Sequence, residues 1–522
     1  MIDILVGDRG ASDRVRLQQR VIVLGLLVVA VLMLRNLGAL LVFAGNALSY
    51  PYSFDYGEGI VWQQMRDMLQ GVAYGPLGVY PAVVYHYPPV FHLTVAAAAA
   101  LSGADELAAG RAVEIASSLV TAVLVACLTM MALGRELSVR IRVGCGAVAS
   151  LMFLSCGPVF AWTPLMRVDM LAGALGLLGL VFAIRAIDRP AWIYAASVAF
   201  VLSLYTKQIG IAPPAAAFAV LLLVDRPTAL RGLAASSLLG LVILGALTWM
   251  TDGGFVRHIF MYNVNRLDLS RLANLASGVG AHLPLVLLAA AGAVYGWQQV
   301  RWAAGGTVGL QSVRALKGDR IAFASLVLLT FLAIKTLMLP AILKSGSNHN
   351  YLIEWLSALA IFAGIAMNHV LAAALGTASA RPDRAPLLLA LALPVALMPL
   401  VLGWEISRQH MDARAAEFTS LVVRIAAAPK PVIADDMTLL IRAGRRVEWE
   451  PAIAAELAHT GVYDEAAFVR LIRAGEFAFF VTEDRMGTKA FNERYNDAVA
   501  TAIKDLYPRQ EDVGGDTLHL PR

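Results

Sequence analysis

The sequence predicts an α-helical polytopic membrane protein with about eleven transmembrane helices, interfacial helices and a small C-terminal α/β domain. Three observations lead there. Of 522 residues, 59% are hydrophobic and only 15% are charged, against roughly a quarter charged in an average soluble domain. The mean hydropathy is +0.68, more apolar than a soluble globule of this length. Charge is also unevenly divided: residues 1–404 carry 27 Lys and Arg against 18 Asp and Glu, whereas residues 405–522 carry 15 against 19. The positive excess belongs to the apolar part and the polar tail is mildly acidic, which argues against nucleic-acid binding.

Apolar runs able to cross a bilayer, about 20 residues each, fall near 21–44, 108–133, 143–160, 169–186, 191–206, 210–225, 230–250, 282–300, 321–340, 351–369 and 386–404. The run Phe91–Leu101 follows Tyr-His-Tyr-Pro-Pro and is too short to span, so it is expected as an interfacial or re-entrant helix. Arg9–Arg20 precedes a run too long for a cleaved leader and reads as the start of a signal anchor. Lys and Arg are retained in short cytoplasmic loops. With the N-terminus inside, the inner segments hold 17 Lys and Arg in roughly 77 residues, and the outer side, Lys207 included, holds about seven in over 110. The outer side then carries loops at 45–106, 161–168, 251–281 and 341–350, and the tail. Two domains are expected, 1–404 in the membrane and 405–522 outside it. In the tail, Pro431–Ala434 and Phe477–Thr482 read as short strands, and Asp464–Arg473 and Phe491–Leu506 as helices.

The outer loops hold the residues that could do chemistry. In Ser53-Phe54-Asp55-Tyr56-Gly57-Glu58-Gly59, either acid could be a general base; the alternative is a helix cap, since acids favour helix starts. Asp169 opens a span from the outer side beside Arg167 and needs a partner there. Lys207, Arg257, Arg266, Lys344 and His349 are cations that outer loops normally avoid. A lipid-linked phosphate would compensate them through charge-assisted hydrogen bonds; snorkelling to headgroups is the other explanation. Arg271 and His258 share the third outer loop, and Lys335 lies within a span. His86 and Glu354 are further candidates. Cys127, Cys145 and Cys156 lie in or beside apolar runs, and no metal-ligand spacing occurs. No nucleotide-binding or serine-hydrolase signature falls in a strand-to-helix setting.

The order of these segments resembles the GT-C superfamily of integral membrane glycosyltransferases. It is most similar to the bacterial branch near the protein O-mannosyltransferases and the lipid A aminoarabinose transferase. The resemblance rests on Asp55 to Glu58, Tyr85-His86-Tyr87-Pro88-Pro89, Gly110-Arg111, Arg167-Val168-Asp169-Met170, Thr206-Lys207-Gln208, and Ser347-Asn348-His349-Asn350-Tyr351 with Glu354. It covers residues 20 to about 405. It implies a polyprenyl-phosphate sugar donor, a lipid, glycan or protein acceptor at the outer leaflet or beyond, and inverting displacement at the anomeric carbon. It further implies a multi-pass protein of the bacterial inner membrane, N-terminus cytoplasmic and tail periplasmic. The first-loop acid is implied as the base, Asp55 by position with Glu58 beside it; two residues separate the pair, where the common pattern has adjacent acids. Many relatives need no cofactor, and some use a divalent metal through first- and second-loop acids, here Asp55 and Asp169. A transporter or flippase is the competing class. It would place broken helices and charges near the midplane in two matching halves, whereas the polar residues here concentrate at outer helix ends and no internal repeat is found.

Overall fold

The computed structural model describes residues 13–522 apart from 264, 308, 378–382 and 402–407. The protein is mostly helical, and each of the eleven apolar runs falls on helix. Among the described residues, six helices are long and apolar enough to cross a membrane: Arg16–Ser49, Glu106–Met131, Arg226–Met250, Leu283–Ala303, Arg320–Leu343 and His349–Ala374. The bundle is built around Glu106–Met131 (α1), which packs against several neighbours including Asp169–Arg185 (α2). The runs at 191–206 and 210–225 are shorter than expected. Trp192–Leu204 (α3) and Ala212–Val224 (α4) have 13 residues each, about 20 Å of helix against roughly 30 Å of hydrocarbon. Between them the chain turns through Lys207, and Pro213 and Pro214 set the start of α4.

The run after the double proline forms a helix, Val90–Ser102, closed by left-handed Gly103. At 13 residues it is too short to span. Before it, Asp55 caps the helix Tyr56–Leu69 through Gly57 N–H.

The tail carries a four-stranded sheet, Ile433–Ala434 (β1), Phe480–Thr482 (β2), Arg509–Val513 (β3) and Asp516–Leu520 (β4), in the order β1-β2-β4-β3. Only β1 and β2 are parallel. The expected helix over Phe491–Leu506 is two helices, Lys489–Arg494 and Asp497–Leu506, separated at Tyr495-Asn496. The expected domain boundary at 404/405 lies outside the described residues.

The tail shares its core with the first outer loop. Tyr50, Tyr52, Ile60 and Trp62 from the loop bury themselves with Met411, Phe418, Leu421 and Met437 from the tail. Leu77, Ala82 and Val84 join Trp449, Phe468 and Phe480 in a second cluster. Polar links reinforce this: Ala82 N–H donates to Glu448 O at 2.7 Å, and Arg442 pairs with Asp105 at 2.6 Å. A Cβ on Gly59 would stand 2.9 Å from Met437 Cβ and the Thr438 nitrogen, so glycine permits the close approach.

Candidate active site

The two first-loop acids have different surroundings. Glu58 is fully buried and salt-bridged to Arg111, with Nε to Oε1 at 2.8 Å and Nη2 to Oε2 at 2.9 Å. Its oxygens also accept from Phe54 N–H at 2.8 Å and Met166 N–H at 2.7 Å. Arg111 is equally buried and donates further to the carbonyls of Ala47, Tyr50 and Tyr52. Of the two candidate bases, Glu58 is thus the one held entirely by structural bonds. It ties the first outer loop to α1 and the second loop, and its lone pairs are occupied.

Asp55 lies at the cavity wall, a quarter exposed. Arg167 Nη1 pairs with its Oδ1 at 2.6 Å, and Gly57 N–H donates to the same oxygen at 2.9 Å. Both bonds fall on Oδ1, which leaves Oδ2 to take a proton. A Cβ on Gly57 would sit 1.2 Å from Arg167 Nη1, so a side chain there would displace the guanidinium from its place over the helix start.

Asp169 begins α2 and lies behind the cavity wall. It forms an ion pair with Lys207 through Oδ1, which Asn350 Nδ2 also approaches at 2.9 Å. Glu114 of α1, absent from the expected set, accepts from Met170 N–H and Leu171 N–H at 2.9 Å each. It thereby fixes the start of α2 and the direction of Asp169. An acid three residues after Arg111 inside an apolar helix is the signal that could have found it.

These groups meet at a cavity of about 550 Å³ between the bundle and the tail. Asp55, His86, Arg167, Lys207, Arg271 and Lys344 line it from the membrane part, and Glu450, Glu456, Glu493 and Arg494 line it from the tail. His86 is kept neutral: burial, then the Arg167 charge and the neighbouring histidines, lower its pKa to about 3.

Several expected phosphate cations are placed otherwise. Arg257 folds back on its own turn beside Gly253 and is not a wall residue. Arg266 pairs with tail Glu456 at 3.1 Å, and Glu456 also accepts from Ser345 at 2.6 Å. Arg271 lines the cavity but pairs with tail Glu493 at 3.0 Å. His349 lies against Gly278, away from the wall. Glu354 neutralises Lys335 at 2.7 Å, a pair within the bundle. These are corrections with a common cause: an outer-loop cation is satisfied as well by a carboxylate elsewhere in the fold as by a ligand. Lys207 and Lys344 remain at the wall. Lys207 has Asp169 as counter-ion, whereas Lys344 is exposed and has no carboxylate partner among the described residues.

The tail wall was not legible locally. Arg494 stacks over Tyr56 at 4.3 Å and pairs with Asp435 at 3.0 Å and Glu483 at 2.9 Å. It joins the residue after Asp55 to the tail core. Asp55 and Asp169, the acids through which the resemblance implies a metal in some relatives, each pair with a cation, Arg167 and Lys207.

No family model and no curated protein matches the chain. Solved structures do match. The chain is 16% identical to ArnT from Cupriavidus metallidurans bound to undecaprenyl phosphate, covering 93% of this chain and 97% of that one with a TM-score of 0.55. It is 12% identical to the archaeal oligosaccharyltransferase AglB from Archaeoglobus fulgidus, in complex with an inhibitory peptide and a dolichol-phosphate. That match covers 90% of this chain and 72% of that one, with a TM-score of 0.52. The chain shares the fold of these two membrane proteins, the fold that the order of the sequence segments implied.

Proposed function

We propose that the protein is an integral membrane glycosyltransferase that moves a sugar from a polyprenyl-phosphate donor to a lipid, glycan or protein acceptor on the outer side of the membrane. The observation that carries this reading is the meeting, in one cavity at one end of the bundle, of an available carboxylate with a set of cations. The GT-C fold supports it, and so does the undecaprenyl phosphate bound to ArnT. Exposed Phe260 and neighbouring Ile259 add an apolar edge to the cavity, suited to a prenyl chain leaving toward lipid.

In the proposed reaction Asp55 Oδ2 takes the proton of the acceptor hydroxyl as that oxygen bonds to the anomeric carbon. The bond from that carbon to the phosphate oxygen breaks and its electron pair stays with the phosphate. The configuration inverts. Arg167 holds the carboxylate in place through Oδ1. Lys344 and Lys207 meet the charge growing on the phosphate, where preorganised cations lower the barrier most. The protein would work in a bacterial inner membrane with its N-terminus cytoplasmic and its tail periplasmic.

The test is incubation of the purified protein with a panel of undecaprenyl-phosphate-linked sugars, reading free undecaprenyl phosphate by mass spectrometry. Release from at least one donor is expected. No release from any, by a protein that binds undecaprenyl phosphate, would count against the reading.

A further inference from the structure

Among the described residues, seven of the cavity wall bury a side-chain polar atom with no hydrogen-bond partner, and two of them meet where the Asp55 loop joins the tail. The Tyr56 hydroxyl, from the residue after Asp55, and Oε2 of tail Glu450 are both buried and unpaired. They are neighbours. Burial, then the Glu450 and Asp435 carboxyls, hold the Tyr56 hydroxyl well above its ordinary pKa. A buried polar atom left unpaired is costly, so two of them side by side at this junction call for an explanation.

The backbone around them is fixed. Glu450 N–H donates to Ala82 O at 3.2 Å, and Ala82 N–H donates to Glu448 O at 2.7 Å, which clamps the segment to the first outer loop. The Tyr56 ring is held under Arg494. Packing accounts for the ring and the chain, and leaves the two oxygens unexplained.

Resting on the function proposed above, the geometry points to a notch for the hydroxyls of a sugar ring, made by Tyr56 from the catalytic loop and Glu450 from the tail. The notch adjoins Asp55, so a ring held there lies beside the base. Burial, opposed by the Val84 amide, raises the Glu450 carboxyl to about 8, so at neutral pH it is mostly protonated and can both donate and accept. A phenol and a neutral carboxyl suit the alternating donors and acceptors of a polyol and offer no charge to a phosphate. The ring is that of the donor or that of a glycan acceptor, and the tail thereby takes part in choosing the substrate.

The test uses the full chain with Tyr56→Phe, Glu450→Ala and Glu450→Gln. Three quantities are measured: affinity for undecaprenyl phosphate alone, affinity for undecaprenyl-phosphoryl hexose, and KM for methyl hexosides as acceptors. Tyr56→Phe keeps the ring under Arg494 and removes only the hydroxyl. It and Glu450→Ala are expected to weaken hexose-dependent binding, or to raise the methyl hexoside KM, by about three- to tenfold, with undecaprenyl phosphate affinity unchanged. Loss in the first quantity assigns the donor ring, and loss in the second the acceptor ring. Glu450→Gln, neutral and able to donate and accept, should stay within about twofold of wild type. Unchanged values in Tyr56→Phe and Glu450→Ala, equal loss of undecaprenyl phosphate itself, or a Glu450→Gln as impaired as the alanine variant would each overturn the notch. A wild-type protein that binds undecaprenyl phosphate and transfers no hexose overturns the underlying function instead, and the notch with it.

Discussion

Asp55 and Glu58 are three residues apart and chemically alike, and what separates them is the company each keeps. Glu58 accepts two guanidinium and two backbone N–H bonds in a fully buried site. Removing its charge leaves Arg111 buried without a counter-ion, a loss of roughly 3–5 kcal/mol. Glu58→Gln should therefore lower the melting temperature and the yield of folded protein, and leave the donor affinity of the surviving fraction near wild type. A stable Glu58→Gln protein would contradict this assignment. The two lysines separate in the same way. The charge of Lys207 is already balanced by Asp169, whereas Lys344 has no carboxylate partner among the described residues. Lys344→Ala is expected to weaken undecaprenyl phosphate binding by about tenfold or more, the range for a hydrogen bond to a charged group, and Lys207→Ala by less. Equilibrium binding to each variant checks the order, and the reverse order would contradict it. That Asp55 and Lys207 come to one cavity wall was legible in the order of their segments, and Lys344 stood out as a cation in a loop that normally avoids one. The choice between Asp55 and Glu58 was not, because it depends on Arg111, fifty-three residues further along the chain.

Among the elements, the tail was expected as a second domain, 405–522. Its side chains fill the same cores as the loop 45–106, and Arg494 reaches Tyr56. A protein truncated after Trp404 would expose those cores. It should lose transfer through disorder of the Asp55 loop, seen as new protease cleavage within residues 50–90. Retention of an intact, active loop would contradict the shared core. Arg494→Ala should destabilise the tail by roughly 3–5 kcal/mol, because Asp435 and Glu483 would lose the cation between them. The strands around Ile433 and Phe480 were readable as short apolar runs between turn residues. The closing hairpin was not: Arg509–Val513 is almost wholly polar and exposed, and pairs only because Asp516–Leu520 is buried beside it. The helix expected over 491–506 breaks where Asn496 donates to Glu465, a tertiary bond that no local pattern announces.

Across the whole molecule, the extramembrane layer carries carboxyls that burial holds protonated. Glu450 and Asp516 are each raised to about 8, whereas the unfolded chain gives up these protons near the ordinary values of 4.5 and 3.8. The folded tail thus binds more protons than the unfolded one between those limits. Its stability from these groups is full below about pH 4 and is lost as the pH rises through about 8. Thermal unfolding should show a lower melting temperature at pH 9 than at pH 6, with a smaller difference in Glu450→Gln. A melting temperature that rises over this interval would contradict the assignment.

The central claim is that a carboxylate held by Arg167 at the outer end of a GT-C bundle removes the acceptor proton. The most direct measurement is turnover by Asp55→Asn, nearly the same shape as wild type and unable to take a proton at neutral pH. With a donor that the wild-type protein uses, the variant should bind undecaprenyl phosphate normally and turn over roughly 100-fold more slowly or worse, within the 10²–10⁴ range of general acid–base catalysis. An Asp55→Asn protein that transfers sugar at the wild-type rate would contradict it.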